Sequence, residues 1–342
     1  MKTKKEKRPI ICLAAIDWHF LFHRPHQLML HFARRGHQVH YRNFTQIPGT
    51  PPQEVVPNLY VYRDFNRLPR DMQSPIYFVY FPAYASWLNA APDSFIVYDC
   101  IDDDPAFDRH EELMLVKADL VLCVSKELMN KHKGKHPHVI LLPNGVDIDH
   151  YSSKSEPGPE IIRLKEKAEA IIGFTGAFYH GWVDTDLVYF IARQFPQWQI
   201  VLVGESYRRV FSNAPPNISY LGKKPYEVLP GYIRCFDIGI IPFLDNRIAR
   251  GADPVKIYEY MAAGIPIVSR NLPFVNDMSP PLIYSYNNEN ECVMALSNAL
   301  EDEKKFRQDN SRKRSEFISG HTWENRMNRL VSELNKLTWL EN

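Results

Sequence analysis

The chain has 342 residues, more than one hydrophobic core comfortably serves, so two domains are expected. Lysine and arginine number 41 against 40 aspartate and glutamate, and a net charge of +1 gives no support for a nucleic-acid partner. The five cysteines (Cys12, Cys100, Cys123, Cys235, Cys292) are odd in number and set in apolar runs, which favours buried thiols in a cytosolic protein over disulfides or a zinc site.

The basic start followed by the apolar run 10–16 mimics a secretory signal, but the run stops at Asp17 and reads better as a first strand. No apolar run approaches the roughly 20 residues needed to cross a bilayer. Strand-length apolar runs then alternate with amphipathic stretches, which predicts parallel sheets covered by helices on both faces. The first half reads strand 10–16, helix 25–35 stopped by Gly36, and strands 39–43, 75–81 and 95–99. Helix 108–117, strand 120–125, helix 126–132 and strand 139–142 complete it. Residues 152–160, rich in Ser, Pro and Gly, are the expected linker and hinge. The pattern restarts with strand 170–174, helix 185–195, strands 199–203 and 218–221, helix 226–235 and strand 238–242.

The most informative stretch is 251–269. Asp253 is placed to cap a helix, Pro254 sits where a helix tolerates its missing N–H, and Gly264 closes the helix before a buried strand at 265–268. Lys256 lies in the first turn, where the helix dipole disfavours a cation unless an anion is bound. Glu259 is three residues on, on the same face. A cation for phosphate and a carboxylate for ribose hydroxyls suit a nucleotide diphosphate. The tail 323–340 is an amphipathic helix with Met327, Leu330, Val331, Leu334 and Leu337 on one stripe.

Four segments carry a family resemblance: Ala118-Asp-Leu-Val-Leu-Cys-Val-Ser125, Leu142-Pro-Asn-Gly-Val-Asp147, Asn217 to Gly222 with Asp237 to Pro242, and Pro254 to Gly264. In that order the chain resembles the GT-B glycosyltransferases of the retaining family 4 type over nearly its whole length. Arg24-Pro-His-Gln27 and Tyr98 to Asp103 look like the bacterial envelope-polysaccharide branch. The resemblance implies two facing Rossmann-like, doubly wound domains with a cleft between them. They would span 1–155 (acceptor) and 160–320 (nucleotide-sugar donor), with 321–342 crossing back onto the first. The implied reaction is transfer of a sugar, with retention at the anomeric carbon, from a UDP-linked nucleotide-sugar donor to a hydroxyl of an envelope or spore-surface polysaccharide or its lipid-linked saccharide precursor.

The resemblance puts Glu259 on the ribose, but Gly251 stands where the family's first glutamate would be. The basic pair that usually grips the diphosphate is also missing from 173–184. Gly173 and Gly176 would instead let the backbone approach phosphate, with His180 the nearest polar side chain. Positive charge then falls to Lys256, with Arg247 or Arg250 as a second source. Val255 at the helix start, Lys223 in the base-holding loop 217–225, and Asn144 complete the expected donor site. Asp99, at a strand end, orients a sugar or caps a loop, and Arg24 meets an acceptor phosphate or forms a salt bridge. Asp184 reads as a helix cap. No metal or cofactor is expected; Asp102-Asp-Asp104 follows a strand of the first domain and is discounted as a metal motif. The basic segments 2–8 and 126–138 raise peripheral contact with an anionic membrane. A nucleotide-sugar epimerase and a non-catalytic nucleotide-sugar-binding scaffold share this pattern and stay open.

Overall fold

The computed structural model describes residues 7–338 except 70, 91–92, 179–180 and 207–213. The chain forms two compact units, Met1–Asn144 with Gly251–Asp253 and Trp323–Asn342, and Gly145–Arg250 with Pro254–Thr322.

The first unit is built on eight strands: β1 (Ile10–Leu13), β2 (Val39–Arg42), β3 (Gln53–Val56), β4 (Leu59–Tyr62), β5 (Ile76–Val79), β6 (Phe95–Cys100), β7 (Leu120–Cys123) and β8 (Val139–Leu141). Their order is β3-β4-β2-β1-β5-β6-β7-β8, parallel throughout except for β3 against β4. The central strands β1 and β7 are buried at every position, as sheets covered on both faces require. Helices Asp108–Lys117 and Lys126–His132 form at the residues the periodicity indicates, and Ser125 Oγ caps the second by accepting from Leu128 N–H. Helix Trp323–Thr338 belongs to this unit. Its Glu324 and Asn328 accept hydrogen bonds from Arg35 at 2.7 and 2.5 Å.

The second unit has six strands: β9 (Ile171–Thr175), β10 (Gln199–Val203), β11 (Ile218–Tyr220), β12 (Ile238–Ile241), β13 (Ile267–Arg270) and β14 (Ile283–Tyr286). They are all parallel, in the order β11-β10-β9-β12-β13-β14. In each sheet the direction of winding reverses at one point, β1/β5 in the first and β9/β12 in the second. Such reversals open the crevices at strand carboxyl ends where α/β sheets bind ligands. All five cysteines are buried free thiols. Among the described residues no helix is long and apolar enough to cross a membrane.

Three expectations need correction. Residues 152–160 lie within the second unit: Ser155 Oγ donates to Val228 O and accepts from Gly231 N–H, and Arg234 donates to Ser155 O at 2.6 Å. The chain passes between units at Asn144–Gly145 instead. The expected helix 226–235 is a 3-10 turn, Tyr226–Val228, followed by a short α-helix, Leu229–Ile233, because Pro230 fits only a first turn. The hairpin β3–β4 was absent from the expected elements. β3 is a half-exposed edge strand with no apolar run to mark it.

Candidate donor site

In the second unit, β9 runs out at Gly176, whose φ of +146° is one that residues with a side chain rarely adopt. A Cβ there would lie 2.5 Å from Lys256 Cε and 2.7 Å from Nζ. The turn after β10 repeats the device: a Cβ on Gly204 would meet Gly176 O at 1.7 Å. Two glycines therefore let the ends of β9 and β10 cross closely, with the Lys256 side chain lying along the backbone of the first.

Lys256 is carried by helix Val255–Ala262, whose Ile257, Tyr258, Tyr260 and Met261 bury against the sheet. Pro254 stands at the N-cap and no side chain caps the helix. Asp253 does not, contrary to expectation, because its carboxylate accepts from Asn144 N–H at 2.5 Å. Val255 and Lys256 are thus the first two helical residues, where backbone N–H groups lack intrahelical partners.

The Lys256 ammonium is half-buried, 5.3 Å from the Phe174 ring centroid and 5.9 Å from that of Phe243. Among the described residues it has no hydrogen-bond or ion-pair partner. Burial lowers its pKa and the charge of Glu259 works the other way. Glu259 is also half-buried and accepts a 2.7 Å hydrogen bond from the hydroxyl of Tyr151. Burial pushes its pKa up, against that hydrogen bond and the charge of Lys256. A desolvated cation at the positive end of a helix, with no carboxylate in contact with it, is an unfavourable arrangement that a bound anion relieves.

Other expected residues fall elsewhere. Gly173 is interior to β9, and a Cβ there would sit 2.0 Å from the ring of Phe236, so its smallness serves packing and not phosphate approach. Arg250 is exposed and paired with Asp245 at 2.6 Å, and Arg247 is exposed on the same short helix, Arg247–Gly251. Lys223 is exposed beyond β11. Asn217, in the loop expected to hold the base, donates to Ala192 O, Phe195 O and Trp198 O and so closes the helix Thr185–Gln194. Asp184 caps that helix by accepting from Leu187 N–H. His180 lies outside the described residues.

In the first unit, Arg24 and Asp99 form a buried ion pair, Nε to Oδ2 2.8 Å, with exposures of 3% and 0%. Asp99 is therefore out of reach of a sugar and acts as a partner for Arg24. Burial would lower the Arg24 pKa, but Asp99 outweighs it and raises it. Arg24 Nη2 and Asp99 Oδ1 remain buried without a hydrogen-bond partner among the described residues. Asn144 is spent as well: its Nδ2 donates to Asp253 O, its Oδ1 accepts from Arg24, and its carbonyl accepts from Arg326. It staples the first unit through its side chain and its backbone. The carboxylates at 102–104 divide likewise: Asp103 pairs with Lys131 at 2.7 Å, Asp104 caps Ala106 N–H, and burial pushes Asp102 up to about 6.

Tyr151, Gly204, Phe174 and Phe243 were not expected in the site. Gly204 carried a readable signal, since it follows an apolar strand just as Gly176 nearly does. Tyr151 is distant in sequence from Glu259 and carried none.

Comparison with known proteins fits this geometry. Residues 185–332 match the family described as glycosyl transferase-like. The matched region is similar to a glycosyl transferase-like domain. It holds Lys256 and Glu259. TuaH of Bacillus subtilis (strain 168), provisionally named a teichuronic acid biosynthesis glycosyltransferase, is 28% identical over 190 residues. That stretch is 52% of this chain and 47% of TuaH, so the chain spans about half the length of this curated relative. Among solved structures, sucrose-phosphate synthase (tll1590) from Thermosynechococcus elongatus superposes with a TM-score of 0.73 at 16% identity, covering 97% of this chain and 99% of that one. Anabaena Alr3699/HepE in complex with UDP-glucose gives 0.66 at 13%, covering 97% and 100%. The fold is GT-B.

Proposed function

We propose that this glycosyl transferase-like chain moves a sugar from a nucleotide diphosphate donor, UDP-linked, to a hydroxyl of an envelope polysaccharide or its lipid-linked precursor. The reading has the reaction retain anomeric configuration, need no metal, and run on the cytoplasmic side with peripheral contact to an anionic membrane. The observation that carries it is Lys256, the half-buried ammonium without a partner at the start of helix Val255–Ala262. The UDP-glucose complex of Alr3699/HepE and the name given to TuaH support the donor and acceptor classes.

In this reading Lys256 and the first N–H groups of the helix hold the diphosphate, and Glu259, steadied by Tyr151, holds the ribose hydroxyls. As the bond from the anomeric carbon to the diphosphate breaks, its electron pair passes to the phosphate oxygen and negative charge grows beside Lys256. The acceptor hydroxyl oxygen bonds the anomeric carbon and passes its proton to a phosphate oxygen. Preorganised positive charge where negative charge develops is the largest catalytic term such a site offers, about 3 kcal/mol for one group. The test is a thermal-shift screen with UDP, GDP and their sugars, followed by measurement of UDP release. UDP should raise the midpoint by binding the folded state, and a UDP-sugar should be turned over. A chain that neither binds UDP nor releases it from any donor contradicts the proposal.

A further inference from the structure

A second cation in the first unit is left unused by the donor site. β2 ends at Arg42, whose register partner on β1 is Leu13, so Arg42 stands at the carboxyl edge of the sheet next to the β1/β5 reversal. Its guanidinium is enclosed by aromatic rings, with Cζ 3.6 Å from the Phe65 centroid, 4.8 Å from Trp87 and 5.0 Å from Tyr84. The Tyr84 ring is fixed there by its hydroxyl, which donates to Ala14 O at 2.9 Å. Arg42 Nη1 is buried and has no hydrogen-bond partner among the described residues. Burial lowers the pKa of this group, and Tyr84 is what opposes that fall. Stacking satisfies the faces of a guanidinium but leaves its in-plane N–H groups wanting acceptors.

Beside it the rings open to solvent. Trp87, 4.9 Å from Tyr84, is 50% exposed. Phe44, linked through Phe81 at 6.3 Å, is 52% exposed. Exposed flat rings beside one desolvated guanidinium match a ligand with an apolar face and an anionic edge. A saccharide carrying a carboxylate or a phosphate has both, since its C–H face lies on a ring and its anion fits the guanidinium fork.

We propose that the Arg42 box is a subsite for an anionic saccharide, with Arg42 binding the carboxylate or phosphate and Trp87 and Phe44 taking the sugar face. To call that saccharide the acceptor rests on the glycosyl-transfer reading; its binding does not. The test titrates the full chain, with and without saturating UDP, with methyl glucuronoside, glucose 1-phosphate and the neutral methyl glucoside. At least one anionic probe should bind tenfold or more tighter than methyl glucoside. A stronger carboxylate arm identifies an acidic sugar, and a stronger phosphate arm a sugar phosphate. Arg42→Gln should erase the preference, and Arg42→Lys should restore part of it, keeping charge without the fork. Trp87→Ala, at an exposed ring, should weaken all three probes alike and provides a reading should Arg42→Gln fail to fold. UDP affinity should be unchanged in every variant, which separates failure of this subsite from failure of the donor site. No anionic preference in the unaltered chain, or a preference that survives Arg42→Gln, overturns the proposal.

Discussion

Arg24 with Asp99 and Lys256 with Glu259 each pair a cation with a carboxylate near a strand or helix end, yet they solve opposite problems. In the first unit the charges meet at 2.8 Å inside the core, so they neutralise each other and Asn144 draws them into a staple with Asp253. In the second unit they do not meet: Glu259 is taken by Tyr151, and Lys256 is left against two aromatic rings and a glycine backbone. The first arrangement contributes to the fold, and the second leaves a desolvated charge without a contact partner among the described residues. Residue type does not separate them; the presence of a partner does.

The sharpest way to break this contrast is by substitution on each side. Asp99→Ala should destabilise the fold by about 3–5 kcal/mol, because it strands a buried guanidinium, and a denaturant titration would show it. Lys256→Ala should leave the denaturation midpoint unchanged or slightly raised, since it removes a cation from a helix N-terminus. Its effect should fall on turnover, lowered about a hundredfold, or about 3 kcal/mol. Equal loss of stability in both variants would erase the distinction.

Acid offers a third probe. Burial drives His26 down to about 3, with a smaller contribution from His23, and drives His40 down to about 4. His26 is held neutral by accepting from His23 N–H at 3.1 Å while donating to Trp18 O at 3.0 Å. The unfolded chain binds protons below about 6.5, whereas these folded sites do not, so stability must fall as pH drops from 6.5 toward 4. At pH 5 the loss should be about 2 kcal/mol for each histidine, and His26→Gln should flatten that slope in a pH series of melts. Smallest of all, Glu259→Gln should raise donor KM roughly tenfold, about 1.5 kcal/mol, with little change in kcat, because ribose is held alike before and during bond breaking.

The fold was largely legible because its strands read as continuous apolar runs: β1, β5, β7, β10 and β12 lie inside expected segments, and β9 is displaced from its own by one residue. Lys256 and Glu259 were singled out because helix punctuation and family resemblance fall on the same residues, and the structure places both, half-buried, on helix Val255–Ala262. What failed depended on partners far along the chain. Asp253 is an apparent cap that bonds Asn144, Gly173 is a glycine required by Phe236, and Asp99 is a strand-end carboxylate claimed by Arg24. Local pattern names a residue's capacity, while its neighbour in space decides the use.

The most direct test of the central claim is an experimental structure of the chain with UDP. Diphosphate oxygens should lie within hydrogen-bond distance of Lys256 Nζ and of the backbone N–H groups that open its helix, with a ribose hydroxyl on Glu259. UDP bound with Lys256 still unpartnered, or bound away from that helix, would contradict it.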